Sequence, residues 1–525
     1  MAQQYRRTVA DVKNFNGRYF FVREGLDVPL DQKRDLLDPK RVTDDTRIFD
    51  GFPTIEYIVE RDGIAVLAAG WCGRPKGVDA DFSMAPVAKR IEQIFRERGK
   101  LKHPVLIAPD CYEDKTPKST YAHQEEVRSI VRSAKPGQVV VLENVRYDPE
   151  ANANDKDFSA FMASLVGENA VYVNEAETQN HRPEATIVSV PKLIVQNGGD
   201  VVYGFQYASV LSSIGTLRQK LEEAERGSFV FGLCGKKIES DPGITSKITV
   251  ARDLIDIMRE GDTIITGGAV SYTFLLAQHY SSKIESNLDK VNEVVRKYDE
   301  MIVAQTKGVK DKKVAAAVTE GLQKQKSSEL KTLLEITDAE IKKLVGDSYI
   351  RWGQEGEQIV FAYSVMTKAK ARGVEVISAY DHTITNGKPN KAGMLENAEV
   401  KIFENATGIP AGWLGVAPGP KTLDKIASVI ENAAVYLQSG PYSIEDPKVE
   451  EVSGTDKVIF EAVKRCKDND GTTIAAGGDT TARVNMRKTQ DAFSTITSAG
   501  GATLELINGD SKGRDAVEEA QKLKK

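Results

Sequence analysis

The chain has 525 residues, of which 41% are hydrophobic and 28% charged, with a formal net charge of −5. A mildly acidic chain of ordinary composition excludes nucleic acid as a bulk partner, and its length favours two or more domains. Its cysteines (Cys72, Cys111, Cys234, Cys466) and five histidines lack metal-type spacing, no apolar run approaches membrane length, and the first residues lack the apolar core of a signal peptide. A cytoplasmic protein without a disulfide framework is therefore expected.

From Arg18 to about Val201, short β-branched runs alternate with segments of helical period, the pattern of a parallel sheet with crossover helices. Tyr19-Phe20-Phe21-Val22 reads as a buried strand ending at Arg23, and Ile64-Ala65-Val66-Leu67 runs on to Gly73-Arg74-Pro75. Gln138-Val139-Val140-Val141-Leu142 stops at Glu143-Asn144-Val145-Arg146, and Ala170-Val171-Tyr172-Val173 leads through Asn174 to His181-Arg182. Four strands thus deliver an arginine at or just past their C-terminal ends, the side on which open parallel sheets bind ligands. Guanidinium groups offer fixed bidentate donors, so the cluster suits a small, multiply charged phosphate or carboxylate. Between these strands, Ile48, Phe52, Ile55, Ile58 and Val59 follow one helical stripe, and Val87, Ile91, Ile94 and Phe95 another. Residues 192–195 read as a further strand, with a break at Asn197-Gly198-Gly199-Asp200. The segment from Phe205 to Glu225 reads as a helix bridging two domains.

The second half keeps the alternation and changes the punctuation to glycine. Ser228-Phe229-Val230-Phe231-Gly232 turns at Leu233-Cys234-Gly235-Lys236-Lys237, Asp262-Thr263-Ile264-Ile265 at Gly267-Gly268, and Thr472-Thr473-Ile474-Ala475 at Gly477-Gly478-Asp479-Thr480. Glycine lets the backbone approach a ligand, and a following helix aims free N–H groups at an anion, as nucleotide phosphates require. A tight strand-to-helix turn with no ligand is the bland account of any one of them. The chain contains neither Gly-x4-Gly-Lys-Ser/Thr nor Gly-x-Gly-x-x-Gly, which argues against a P-loop enzyme and a standard dinucleotide fold. Between about 281 and 370 lies a charged helical stretch: Leu288, Val291, Val294, Val295, Tyr298, Met301 and Ile302 form one stripe, residues 330–335 a short second helix, and Thr337-Asp338-Ala339-Glu340 has capping-box form. It is read as a helical insert in the second domain, either a solvated surface element or a site for a protein partner.

These motifs carry a resemblance. Val42-Thr43-Asp44-Asp45-Thr46-Arg47-Ile48, Gly73-Arg74-Pro75-Lys76-Gly77, Leu142-Glu143-Asn144-Val145-Arg146, Gly412-Trp413-Leu414-Gly415, Gly419-Pro420-Lys421-Thr422, Gly477-Gly478-Asp479-Thr480 and Gly500-Gly501-Ala502-Thr503 occur in an order that resembles the phosphoglycerate kinase family along most of the chain, the insert and extreme ends excepted. The resemblance implies two doubly wound, Rossmann-like parallel-sheet α/β domains facing a cleft. They are expected at 1–203 for substrate and 204–510 for nucleotide, with 511–525 as a tail. It implies reversible phosphoryl transfer between 1,3-bisphosphoglycerate and ADP with Mg²⁺, the partners being 3-phosphoglycerate or a similar phosphorylated acid and an adenine nucleotide. Carried over by motif, Arg74, Arg146 and Arg182 would hold the substrate phosphate with Arg23 adjacent and Asp27 beside them, and Arg47 and Lys237 would neutralise the migrating phosphoryl oxygens. Gly235, Gly267, Gly268, Gly477, Gly478 and Thr480 would line the nucleotide, Asp479 would position Mg²⁺, and Lys247 and Glu445 are further nucleotide candidates.

The departures are specific. Gly25 stands where the family has the carboxylate that reads the substrate hydroxyl, and Trp71 where it has a histidine on the substrate phosphate. The segment from Glu175 to Glu184 brings acid beside the basic patch, and Ala476, Ala499 and Ala417 replace two glycines and an aspartate. Two readings follow: an active phosphoglycerate kinase or a relative acting on a similar acid, and a catalytically impaired member kept as a structural, scaffolding or nucleotide-sensing protein.

Overall fold

The computed structural model describes residues 6–68, 72–73, 75–223, 225–235, 247–307, 309, 312–348, 353–387, 398–404, 408–444, 450–509 and 511–524. The chain forms two units, Met1–Thr216 with Gly509–Lys525 and Leu217–Asn508. Their junction falls inside the helix Phe205–Glu222, the element expected to bridge two domains.

The first unit is built on six strands: β1 (Tyr19–Glu24), β2 (Ile64–Ala68), β3 (Leu106–Ala108), β4 (Val139–Leu142), β5 (Val171–Glu175) and β6 (Asp200–Tyr203). They pair in the order β3-β4-β2-β1-β5-β6, all parallel. β2, β4, β5 and β6 are buried along their whole length, because helices cover both faces, and this is why the sequence shows continuous apolar runs instead of alternation. The helix Thr46–Glu60 buries Ile48, Phe52, Ile55, Ile58 and Val59, and Ala85–Glu97 buries Val87, Ile91, Ile94 and Phe95, both stripes as expected.

Two expectations change. Residues 192–195 are not a strand but the end of the helix Ala185–Gln196, whose buried Ile187, Val190, Pro191, Ile194 and Val195 recur at helical spacing. Residues 511–525 are more than a tail. The helix Lys512–Leu523 buries Gly513, Ala516, Val517 and Ala520 and packs on Ala185–Gln196. Its stripe of small residues carries little hydropathy signal.

The second unit holds β7 (Phe229–Leu233), β8 (Thr263–Thr266), β9 (Glu375–Ile377), β10 (Asp381–Thr385), β11 (Val400–Glu404), β12 (Leu414–Pro418), β13 (Val435–Ser439), β14 (Thr472–Ala476) and β15 (Thr495–Thr497). Six form a parallel sheet in the order β15-β14-β13-β7-β8-β9, and a separate antiparallel sheet runs β11-β10-β12. The helical region comprises Ser281–Ser286, Leu288–Thr306, Lys312–Leu333, Asp338–Val345 and Glu355–Ala371. The short helix expected at 330–335 is the end of the 22-residue Lys312–Leu333. The capping box holds: Thr337 Oγ1 accepts the Glu340 N–H, and Glu340 Oε2 accepts the Thr337 N–H, both at 3.2 Å.

Candidate substrate and nucleotide sites

In the first unit the turns after β1, β2 and β4 are tied together by polar contacts. Asp27 Oδ1 accepts the Gly73 N–H at 2.9 Å. Arg47, in the first turn of its helix, donates to the Asp27 carbonyl at 2.5 Å and lies 3.5 Å from the Asp27 carboxylate. Arg146 Nη1 donates to the Gly73 carbonyl, and Asn144 Nδ2 donates to the carbonyls of Cys72 and Phe82 at 2.8 Å each. Arg47, Asp27, Gly73 and Arg146 thus form one connected group at the C-terminal ends of three strands. Arg74 and Trp71 lie outside the described residues.

Arg23 is placed differently from the expectation of an arginine beside a ligand. It is fully buried, with Nε donating to Thr186 Oγ1 at 2.8 Å, Nη1 to the Glu24 carbonyl, and Nη2 to Glu184 at 3.1 Å. Burial pushes the Glu184 carboxyl upward, while Arg23, Arg182 and Arg146 each pull it back, so all three arginines act on one internal carboxylate. Sequence reasoning placed acid here without singling out Glu184. It also missed Thr178, whose buried hydroxyl has no hydrogen-bond partner and lies 3.0 Å from where a Cβ on Gly25 would sit.

Behind this site, Glu24 and Glu175 stand opposite each other on β1 and β5. Glu175 accepts hydrogen bonds from Thr54 Oγ1 (2.6 Å) and from the Gln206 and Tyr207 N–H groups (3.0 and 2.9 Å), capping the helix Phe205–Glu222. Burial pushes Glu175 up to about 7. Burial first, and the charge of Glu175 second, hold Glu24 well above the carboxylate range.

In the second unit the glycine turns after β7, β8 and β13 meet. The Gly235 N–H donates to the Gly267 carbonyl at 3.2 Å, and the Gly268 N–H to the Tyr442 carbonyl at 3.1 Å. Gly268 has φ +62°, and a Cβ there would lie 2.9 Å from Gly235 N. Gly440, with φ +98°, would drive a Cβ into the Cys234 carbonyl. Gly477 precedes the helix Gly478–Arg487, whose free N–H groups open at the end of β14. Thr480 is fully buried, and its hydroxyl accepts the Gly440 N–H at 2.8 Å while donating to the Ala476 carbonyl at 3.0 Å. The Thr480 side chain, expected at a nucleotide phosphate, laces the turns after β13 and β14 together. Asp479, one residue earlier, is exposed on the first helical turn.

Among the described residues no group of three or more His, Cys, Asp and Glu side chains could hold a metal ion. A lone exposed carboxylate fits a magnesium ion whose remaining ligands are phosphate oxygens and water. Lys237 and Glu445 lie outside the described residues, and Lys247 opens the helix Lys247–Leu254.

Similarity to known proteins extends over nearly the whole chain. A family model described as phosphoglycerate kinase matches residues 9–344 and 332–510. The chain is 27% identical over 501 residues to the cytosolic phosphoglycerate kinase of Triticum aestivum, covering 95% of this chain and 94% of that protein. It is 29% identical over 506 residues to the phosphoglycerate kinase of Aquifex aeolicus, covering 96% of each. The crystal structure of phosphoglycerate kinase from Pyrococcus horikoshii superposes with a TM-score of 0.64 at 15% identity, covering 98% of this chain and 99% of that one.

Proposed function

The chain belongs to the phosphoglycerate kinase family, and from that premise we propose that it moves a phosphoryl group reversibly between 1,3-bisphosphoglycerate and MgADP, giving 3-phosphoglycerate and MgATP. The observation that carries this reading is the connected group of Arg47, Asp27, Gly73 and Arg146 at the strand ends of the first unit. In the direction of acid phosphorylation, a carboxylate oxygen of 3-phosphoglycerate attacks the γ-phosphorus. The bond to the bridging oxygen breaks with its electron pair leaving on ADP. No proton has to move, so the protein's task is alignment and positive charge on the migrating oxygens. Arg47 supplies that charge from a helix N-terminus, and Asp27 fixes its guanidinium. Arg146 and Arg182 hold the distal phosphate.

On the nucleotide side, the meeting of the Gly235, Gly267–Gly268 and Gly440 turns supports close approach of phosphates to backbone, with Thr480 holding two of the turns together. Asp479 would hold Mg²⁺, which when bound spreads the charge of the nucleotide phosphates. Among the described residues no helix is long and apolar enough to cross a membrane, and we propose a cytoplasmic enzyme of glycolysis.

A second reading, a catalytically impaired nucleotide-binding or scaffolding member, is favoured by one observation: Arg23 is neutralised by Glu184. A coupled assay of ATP consumption with 3-phosphoglycerate, beside a titration with magnesium nucleotide, separates the two. Turnover that depends on the acid supports the kinase; nucleotide binding without turnover supports the second reading.

A further inference from the structure

Glu184 sits at the N-cap of the helix Ala185–Gln196, its carbonyl accepting the Ile187 and Val188 N–H groups. Its side chain makes no cap hydrogen bond and turns to the arginines instead. Oε2 lies 3.1 Å from Arg23 Nη2, and Oε1 is buried without a hydrogen-bond partner. Arg182 and Arg146 act on the same carboxylate. A buried carboxylate with an unsatisfied oxygen is costly unless a cation pairs with it; Arg23 does so directly, and the charges of Arg182 and Arg146 add to the attraction. Helix N-terminus and arginine cluster are the elements of an anion site, and the protein's own carboxylate occupies part of it.

We propose that Glu184 is a specificity-determining residue, a built-in anion that lowers the net charge of the Arg23–Arg146–Arg182 cluster by one and sets the substrate subsite for a less highly charged acid. This rests on the phosphorylated-acid reading of that site. The charge of Glu184 opposes every incoming anion in proportion to that anion's charge, so its removal must act in a graded way. A role in packing alone would move all ligands together or none.

The test is calorimetric titration at constant ionic strength with 3-phosphoglycerate, inorganic sulfate and glycerate. Glu184→Gln should tighten 3-phosphoglycerate by about fivefold or more, sulfate by about threefold, and glycerate by less than about twofold. Equal shifts for the three ligands, or no tightening, would overturn the proposal. Graded tightening of sulfate over glycerate without any uptake of 3-phosphoglycerate would sustain the role of Glu184 and overturn the phosphorylated-acid reading. Glu184→Gln leaves buried Arg23 without its charged partner. If cooperative unfolding is lost, Arg23→Gln and Arg23→Gln/Glu184→Gln decide the matter with sulfate. Arg23→Gln should weaken binding and the double variant should restore it; a double variant as weak as Arg23→Gln would overturn the proposal.

Discussion

Asp479 and Thr480 are neighbours in sequence with opposite surroundings, one exposed at a helix N-terminus and the other buried between two turns. Asp479→Ala is expected to weaken nucleotide binding by about tenfold or more with Mg²⁺ present and little without it, since on the proposed reading the carboxylate meets the nucleotide only through the metal. Thr480→Val should weaken binding equally with and without Mg²⁺ and lower stability by about 1–3 kcal/mol, because it leaves the buried Gly440 N–H unpaired. Titrations of both variants with and without Mg²⁺ check the contrast. The Glu24–Glu175 pair gives a pH dependence of definite sign. Both carboxyls are held above their ordinary value of 4.5, so the stability they allow is complete below that pH and is lost as pH rises, through about 7 for Glu175. Glu24→Gln should therefore leave the thermal midpoint unchanged below pH 4.5 and raise it at pH 7.5. Unfolding scans across that range read the difference directly. At Gly25 the missing carboxylate predicts poor selectivity against acids lacking the 2-hydroxyl. Gly25→Asp alone crowds the Thr178 hydroxyl, so recovery of selectivity should need Thr178→Ala as well, measured as the ratio of kcat/KM for the two acids.

Elements buried on both faces were legible in the sequence. The apolar runs of β1, β2, β4, β5, β7, β8 and β14 announce parallel strands, and the stripe of Leu288–Thr306 announces its helix. The antiparallel sheet was not legible, because Asp381-His382-Thr383-Ile384-Thr385 is a short, mostly polar strand whose burial comes from tertiary packing. Residues 192–195 read as a strand because Leu193-Ile194-Val195 is a short apolar run with two β-branched residues, while the helical period shows only over twelve residues. The arginine cluster was legible as a cluster. That Arg23 points inward was not, since the end of β1 is covered on both faces and alternation there is silent. The helical insert, too, is more integrated than a surface addition. The helix Glu355–Ala371 packs on the helix Val270–His279 outside the insert, and inside it Gly356 donates its N–H to Ser327 Oγ at 3.0 Å. A Cβ at Gly356 would collide with the Ser327 carbonyl. Gly356→Ala should thus destabilise the second unit by about 1–3 kcal/mol in denaturant unfolding, despite its higher helix propensity. An unchanged or raised midpoint would show that the insert packs loosely.

At the scale of the molecule, two α/β units carry complementary chemistry: arginines at strand ends in one, glycine turns in the other. Family membership extends over nearly all of the chain, while on the proposed reading the substrate subsite lacks the expected carboxylate at Gly25 and carries one at Glu184. Phosphoryl transfer is therefore expected to survive with a shifted preference among acids. The most direct measurement follows the isotopically labelled γ-phosphoryl group of ATP, with Mg²⁺ and 3-phosphoglycerate, into an acyl phosphate separated from ATP and inorganic phosphate, with release of that label by hydroxylamine marking the acyl linkage. Wild-type protein should place the label on the acid, and Arg47→Ala should lower the rate by about a hundredfold or more with little change in KM, the mark of a contact made chiefly in the transition state. Absence of label on the acid with wild-type protein, or an Arg47→Ala variant that transfers it at the wild-type rate, would contradict the account.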